Sequence, residues 1–278
     1  MRHALCLPAL LLLLLFGCAA DDAPTATARQ PARREAVVIP LEDGTQLRAV
    51  LALPAGAPTR PPIIALHGCA GLGRAERPIR LPLREADWAA VLTEAGHPVL
   101  FPDSFGSRGL GQACGVRGFP AGPRVRRGDV HAAAAWARSQ AWAPSGPAGL
   151  IGWSHGGSTV LTAIAEPLPA GLIGKAVAYY PGCSEVGQTA GWRPGVPALL
   201  LLGGADDWTP AHFCQALAAR FPERLRQITY SGARHGFDGP ATPQTTRTLP
   251  DGRMVSMGSD PAARRASMAE VAGFFGGP

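Results

Sequence analysis

The chain has 278 residues, 46% of them hydrophobic. Setting aside about 30 residues of leader and tether leaves enough for one domain with a sizeable core, and no internal repeat divides it. The charge of +6 comes from 26 basic against 20 acidic residues, with Lys175 the sole lysine; such an arginine excess reads as compositional bias, and no nucleic-acid module accompanies it. Neither a G-x-G-x-x-G after a strand nor a G-x-x-x-x-G-K-[ST] loop is present, so no nucleotide or other organic cofactor is expected.

Met1-Arg2-His3 and the apolar run Ala4 to Phe16 have the charged start and short apolar core of a signal peptide, too short for a comfortable membrane span. Leu15-Phe16-Gly17-Cys18 resembles a bacterial lipobox, in which Cys18 would be lipidated and become the mature N-terminus. Cleavage after Cys18-Ala19-Ala20 is the competing reading. Residues 1–20 are thus expected to be leader, 21–34 a flexible tether rich in Ala, Thr, Pro and Arg, and 35–278 the folded domain. The protein is expected to be exported, as a periplasmic or membrane-anchored lipoprotein or as a secreted monomer.

Along the domain, Glu35–Pro40 and Gln46–Leu53, joined through Glu42-Asp43-Gly44, predict an opening hairpin. Apolar strands then alternate with helices: strands at Ile63–Leu66, Val99–Phe101, Ala148–Ile151, Ala176–Tyr180, Pro197–Leu202 and, last, Leu225–Tyr230. Helices are predicted over Leu83–Ala95, Arg126–Trp142, His155–Ala165, Ala211–Arg220 and Pro261–Phe275, the final one capped by Asp260. This alternation predicts an α/β fold with a mostly parallel, twisted sheet and helices on both faces.

Gly152-Trp153-Ser154-His155-Gly156-Gly157 lies between a strand and a helix. The pattern predicts a sharp, strained turn that exposes the Ser154 hydroxyl at the sheet edge, with glycines two residues either side where bulky neighbours would clash. A hydroxyl needs a base, and the base needs a partner to fix its tautomer. The strand Pro197–Leu202 ends in Gly203-Gly204-Ala205-Asp206-Asp207-Trp208-Thr209-Pro210, so a carboxylate stands at the same edge. The spacing favours Asp206; Asp207 would be a loop carboxylate or a helix cap. His235, in the loop after the last strand, is the base expected from chain order, since His212 begins a helix and His97 and His131 read as surface or packing residues. His155 is expected to contribute its backbone N–H, not its ring.

These motifs resemble the dienelactone hydrolase family of the α/β-hydrolase fold. Ile63 to Leu72, with its His67-Gly68-Cys69 loop, Pro98 to Gly106, Gly152 to Gly157, Gly203 to Pro210 and His235-Gly236-Phe237 carry the resemblance. It implies Ser154 as nucleophile, Asp206 as acid and His235 as base, with the backbone N–H groups of Cys69 and His155 as oxyanion hole. The namesake enzymes use a cysteine nucleophile, whereas this chain has Ser154. The expected activity is hydrolysis of carboxylic esters or lactones through an acyl-enzyme. A serine peptidase of the prolyl-oligopeptidase type, weakened by the lack of a propeller-sized N-terminal region, and a catalytically silent envelope protein of the same fold are the alternatives.

Cys69, Cys114, Cys183 and Cys214 form an even set in an exported chain. Their loops follow successive strands on one sheet edge, which predicts the pairs Cys69–Cys114 and Cys183–Cys214; buried or free thiols are the alternative. No C-x-x-C or H-x-x-x-H spacing occurs, and no metal site is expected. Two long excursions, Gly106 to Arg127 and Asp238 to Ser259, are expected to wall the pocket. Phe105, Trp208 and Phe237 are its expected apolar contacts. Arg117, Arg124, Arg126 and Arg127 read as a solvated loop and helix start, or as a face toward an anionic surface or substrate.

Overall fold

The computed structural model describes residues 33–73 and 79–277, together with Met1. The leader, the lipobox around Cys18 and the tether as far as residue 32 lie outside the described residues.

The opening hairpin is β1 (Arg33–Pro40) paired antiparallel with β2 (Gln46–Leu53). At its turn the Asp43 carboxylate accepts the Thr45 N–H, and Gly44 takes φ of 85°. Six mutually parallel strands complete the sheet: β3 (Ile63–Leu66), β4 (Val99–Pro102), β5 (Ala148–Trp153), β6 (Ile173–Tyr179), β7 (Ala198–Gly203) and β8 (Leu225–Tyr230). The order is β1-β2-β4-β3-β5-β6-β7-β8. Strands β3, β4, β5 and β7 are buried at every position, which is why they read as unbroken apolar runs. Sequence order steps one way from β3 to β4 and the other way from β5 onward, so the direction reverses between β3 and β5. The crevice beyond the strand ends at such a reversal is where open α/β sheets hold ligands.

Two apolar layers sandwich the sheet. One contains Val130, Ala133 and Ala137 of α2 (Pro123–Ser139), Val160 and Leu161 of α3 (His155–Ala163) and Leu217 of α5 (Ala211–Arg220). The other contains Trp88 and Leu92 of α1 (Leu83–Glu94) and Val271 of α6 (Pro261–Gly276). A short α4 (Ser184–Gln188) completes the helices. Asp260 caps α6, accepting the N–H groups of Ala262 and Ala263 as its sequence predicts. This is an α/β-hydrolase fold.

Several details differ from the sequence reading. Arg33 and Arg34, assigned to the tether, pair with Leu53 and Ala52 as the first residues of β1, because the ladder with β2 continues to the end of its partner. Helix α2 starts at Pro123, whose ring suits the first helical position, and ends at Ser139 because Gln140 turns extended. Helix α4 is too short for a periodic signal. Leu225–Tyr230 is not the last strand: β9 (Thr245–Thr248) and β10 (Met254–Met257) pair antiparallel within the second excursion. Thr-Thr-Arg-Thr has no apolar alternation, so nothing in it announced a strand.

Candidate active site

Ser154 follows β5 with φ 55° and ψ −117°, a left-handed conformation that non-glycine residues rarely adopt. The neighbouring glycines are dictated by contact. A Cβ on Gly156 would lie 2.0 Å from the Leu66 carbonyl oxygen, and one on Gly152 would lie 2.5 Å from that of Gly156. The turn is therefore wedged between the end of β3 and its own helix.

His235 bridges the other two groups. Its Nε2 lies 2.9 Å from Ser154 Oγ and its Nδ1 lies 2.8 Å from Asp206 Oδ2, although the three residues come from loops after β5, β7 and β8. The imidazole is 3% exposed and sits between the rings of Tyr180 and Trp208, each with its centroid 4.7 Å away. Asp206 accepts the N–H groups of Trp208 and Thr209 on Oδ1 and the Thr209 hydroxyl on Oδ2. Burial alone would raise its carboxyl; the His235 hydrogen bond and charge, with the Thr209 donors, outweigh burial and hold it below the usual carboxylate value. Asp207 is exposed and accepts the Ser256 N–H at 2.8 Å, tying β10 to the loop. The structure thus brings Asp206, not Asp207, to the histidine.

Cys69 follows β3, and His155 opens α3. No described residue accepts a hydrogen bond from either backbone N–H. Cys69 is bonded to Cys114, with Cα atoms 4.8 Å apart, and its carbonyl accepts the Ala113 N–H at 2.7 Å. Cys183 is bonded to Cys214. Both pairs follow the neighbouring-loop expectation.

The aromatic expectations need correction. Phe105 and Phe237 are both 0% exposed and present no surface to the solvent-filled side of the site. Phe105 fills the space among the rings of His67, Phe119 and His155, and Phe237 packs against Tyr179, Tyr180 and Tyr230. Trp208 remains half-buried against His235, with the Arg247 guanidinium of β9 5.6 Å from its ring centre. His212 is exposed on α5. A groove of about 1730 Å³ runs past His155 and Ser158 between the Gly115–Arg127 and Gly182–Trp192 segments, with Arg253 of the second excursion on its rim.

Sequence reasoning missed the brace behind the histidine. Buried Asp238 accepts from Trp88 Nε1 at 2.8 Å and from the Tyr180 hydroxyl, and Tyr180 in turn accepts from Arg84 at 3.1 Å. Tyr180 has φ of 36°, a second strained residue beside the imidazole. The signal available was the position of Asp238 three residues after His235. It also missed Arg126, which belongs to the supposedly solvated arginine group and is 0% exposed.

Solved structures of similar architecture include a candidate dienelactone hydrolase from Klebsiella pneumoniae subsp. pneumoniae MGH 78578, with TM-score 0.67 and 14% identity over 90% of this chain and 100% of that one. A dienelactone hydrolase-like promiscuous phosphotriesterase from metagenomic libraries gives TM-score 0.68 and 16% identity over 89% and 98% of the two chains. A puromycin-hydrolysing peptidase from Mycobacterium tuberculosis gives TM-score 0.62 and 19% identity, over 91% of this chain but 40% of that one. At these identities the likeness is one of fold. No curated protein sequence matches the chain. The model of the dienelactone hydrolase family matches residues 47–277, which take in every strand from β3 to β10 together with Ser154, Asp206 and His235, and the chain belongs to that family.

Proposed function

We propose that the protein is a serine hydrolase of carboxylic esters or lactones that works through an acyl-enzyme. The observation that carries this is the single imidazole within hydrogen-bond distance of both the strained serine and a buried carboxylate. His235, oriented through Nδ1 by Asp206, takes the Ser154 proton on Nε2 as Oγ attacks the ester carbonyl. The backbone N–H groups of Cys69 and His155 receive the oxyanion. The tetrahedral intermediate collapses and breaks the bond to the alcohol oxygen, which leaves with the proton from His235. Water, deprotonated by the same imidazole, then attacks the acyl-enzyme; the bond to Ser154 Oγ breaks, Oγ regains the proton from His235, and the acid is released. In a lactone the alcohol stays tethered to the acyl group, and ring opening replaces its departure. Trp208 is proposed to line the substrate's apolar side. Export, with Cys18 lipidated, is proposed for the whole chain, and the two disulfides support an oxidising destination.

Turnover of p-nitrophenyl esters by Ser154→Ala tests the reading. It predicts a fall in kcat of about 10⁴-fold or more; a variant as active as the native protein would contradict it.

A further inference from the structure

Arg126 is an expensive residue to place where it is. It is 0% exposed on α2, and among the described residues no carboxylate lies within ion-pair distance. The nearest acids are already committed, Asp129 to Arg108 and Asp103 to Arg48. Its Nε has no hydrogen-bond partner among the described residues. A buried guanidinium with no carboxylate beside it is destabilising unless its donors are used.

What it touches gives the use. Nη2 donates to the His67 carbonyl oxygen at 3.0 Å, two residues before Cys69 on the loop after β3. Nη1 donates to His155 Nδ1 at 2.7 Å, on the first residue of α3. The face of the guanidinium rests on Phe105, 5.2 Å from the ring centre. Arginine has no acceptor, so His155 Nδ1 must be unprotonated; burial and the adjacent charge push that imidazole down to about 3, which keeps it neutral and the contact intact. One planar group thus joins the two segments that carry the Cys69 and His155 N–H groups. Rigid separation of two such donors is what a preorganised oxyanion hole requires.

We propose that Arg126 is a positioning residue of the oxyanion hole, clamping the loop after β3 to the start of α3 so that the two backbone donors stay aimed at one point. The proposal rests on the ester-hydrolase reading of Ser154. A fork is needed because a single-point donor reaches only one of the two segments.

The test is steady-state ester kinetics of Arg126→Met and Arg126→Lys beside the native protein, with the rate of Ser154 labelling by a fluorophosphonate. Arg126→Met is expected to lose about 10- to 100-fold in kcat with KM within about twofold, and to label more slowly in the same proportion, because phosphonylation also builds charge on an oxygen. Should Arg126→Met fail to fold, Arg126→Lys decides: a loss of about tenfold in kcat at constant KM supports the clamp, and native kcat overturns it. A folded Arg126→Met with native kcat and labelling rate likewise overturns it. If instead the native protein neither turns over esters nor labels at Ser154, the hydrolase reading fails and the clamp with it, a result distinct from failure of the clamp alone.

Discussion

Asp206 and Asp207 are adjacent in sequence and opposite in circumstance. Asp206 is buried among three donors from Trp208 and Thr209 and faces His235, whereas Asp207 is exposed and accepts the Ser256 N–H. Asp206→Asn should therefore lower kcat by about 10³- to 10⁴-fold, because an amide cannot hold the imidazole in the required tautomer. Asp207→Asn keeps an acceptor for Ser256 and should leave kcat within about twofold. Equal losses in parallel ester assays would contradict the assignment. His155 offers a pH test. Burial first, and Arg126 second, push its imidazole to about 3 from an ordinary 6.5, so below pH 6.5 the unfolded chain binds a proton that the folded one refuses. Stability must then fall as pH drops from 6.5 toward 3, by up to about 1.4 kcal/mol per pH unit from this residue. His155→Gln should show a smaller loss than the native protein between pH 7 and 4.5 in urea unfolding; identical losses would contradict the shift.

At the level of elements, the two disulfides separate stability from geometry. Cys69–Cys114 ties the excursion after β4 to the loop after β3, and the Ala113 N–H to Cys69 oxygen bond doubles the tie. Cys183–Cys214 ties the start of α4 to α5, neither of which carries Cys69 or His155. Replacing either pair with alanines should cost about 2–4 kcal/mol in urea unfolding. Only loss of the first should also lower kcat severalfold; a matching fall on losing Cys183–Cys214 would mean that the first bridge has no special bearing on the site. The elements themselves were largely legible in the sequence. Buried parallel strands announce themselves as runs such as Leu199-Leu200-Leu201-Leu202, and the elbow by glycines that contact leaves no room to replace. The hairpin β9–β10 was not legible: its Thr and Arg residues are half-exposed or exposed, and its place is set by contacts from Asp207 and His235.

Across the molecule, the fold converts distant positions into neighbours. Reversal of strand order between β3 and β5 opens the crevice, β3 delivers Cys69 to it, β5 delivers Ser154, and β7 and β8 deliver Asp206 and His235. Chain order alone was enough to foresee that convergence, because parallel strands end on one edge. It could not foresee which aromatic rings face outward: Phe105 and Phe237 stand beside site residues in sequence and are sealed in the core, since packing direction depends on neighbours such as Tyr179 and His67 that arrive from other strands. The same holds for Arg126, where charge suggested solvent and the fold supplied a carbonyl and an imidazole. Whether one imidazole makes one hydroxyl reactive is read from mass-spectrometric mapping of the adduct that a fluorophosphonate forms with the native protein and with His235→Ala. A single adduct on Ser154 in the native protein and its near-absence in the variant are expected; an unlabelled native protein, an adduct elsewhere, or equal labelling of the two would overturn the reading.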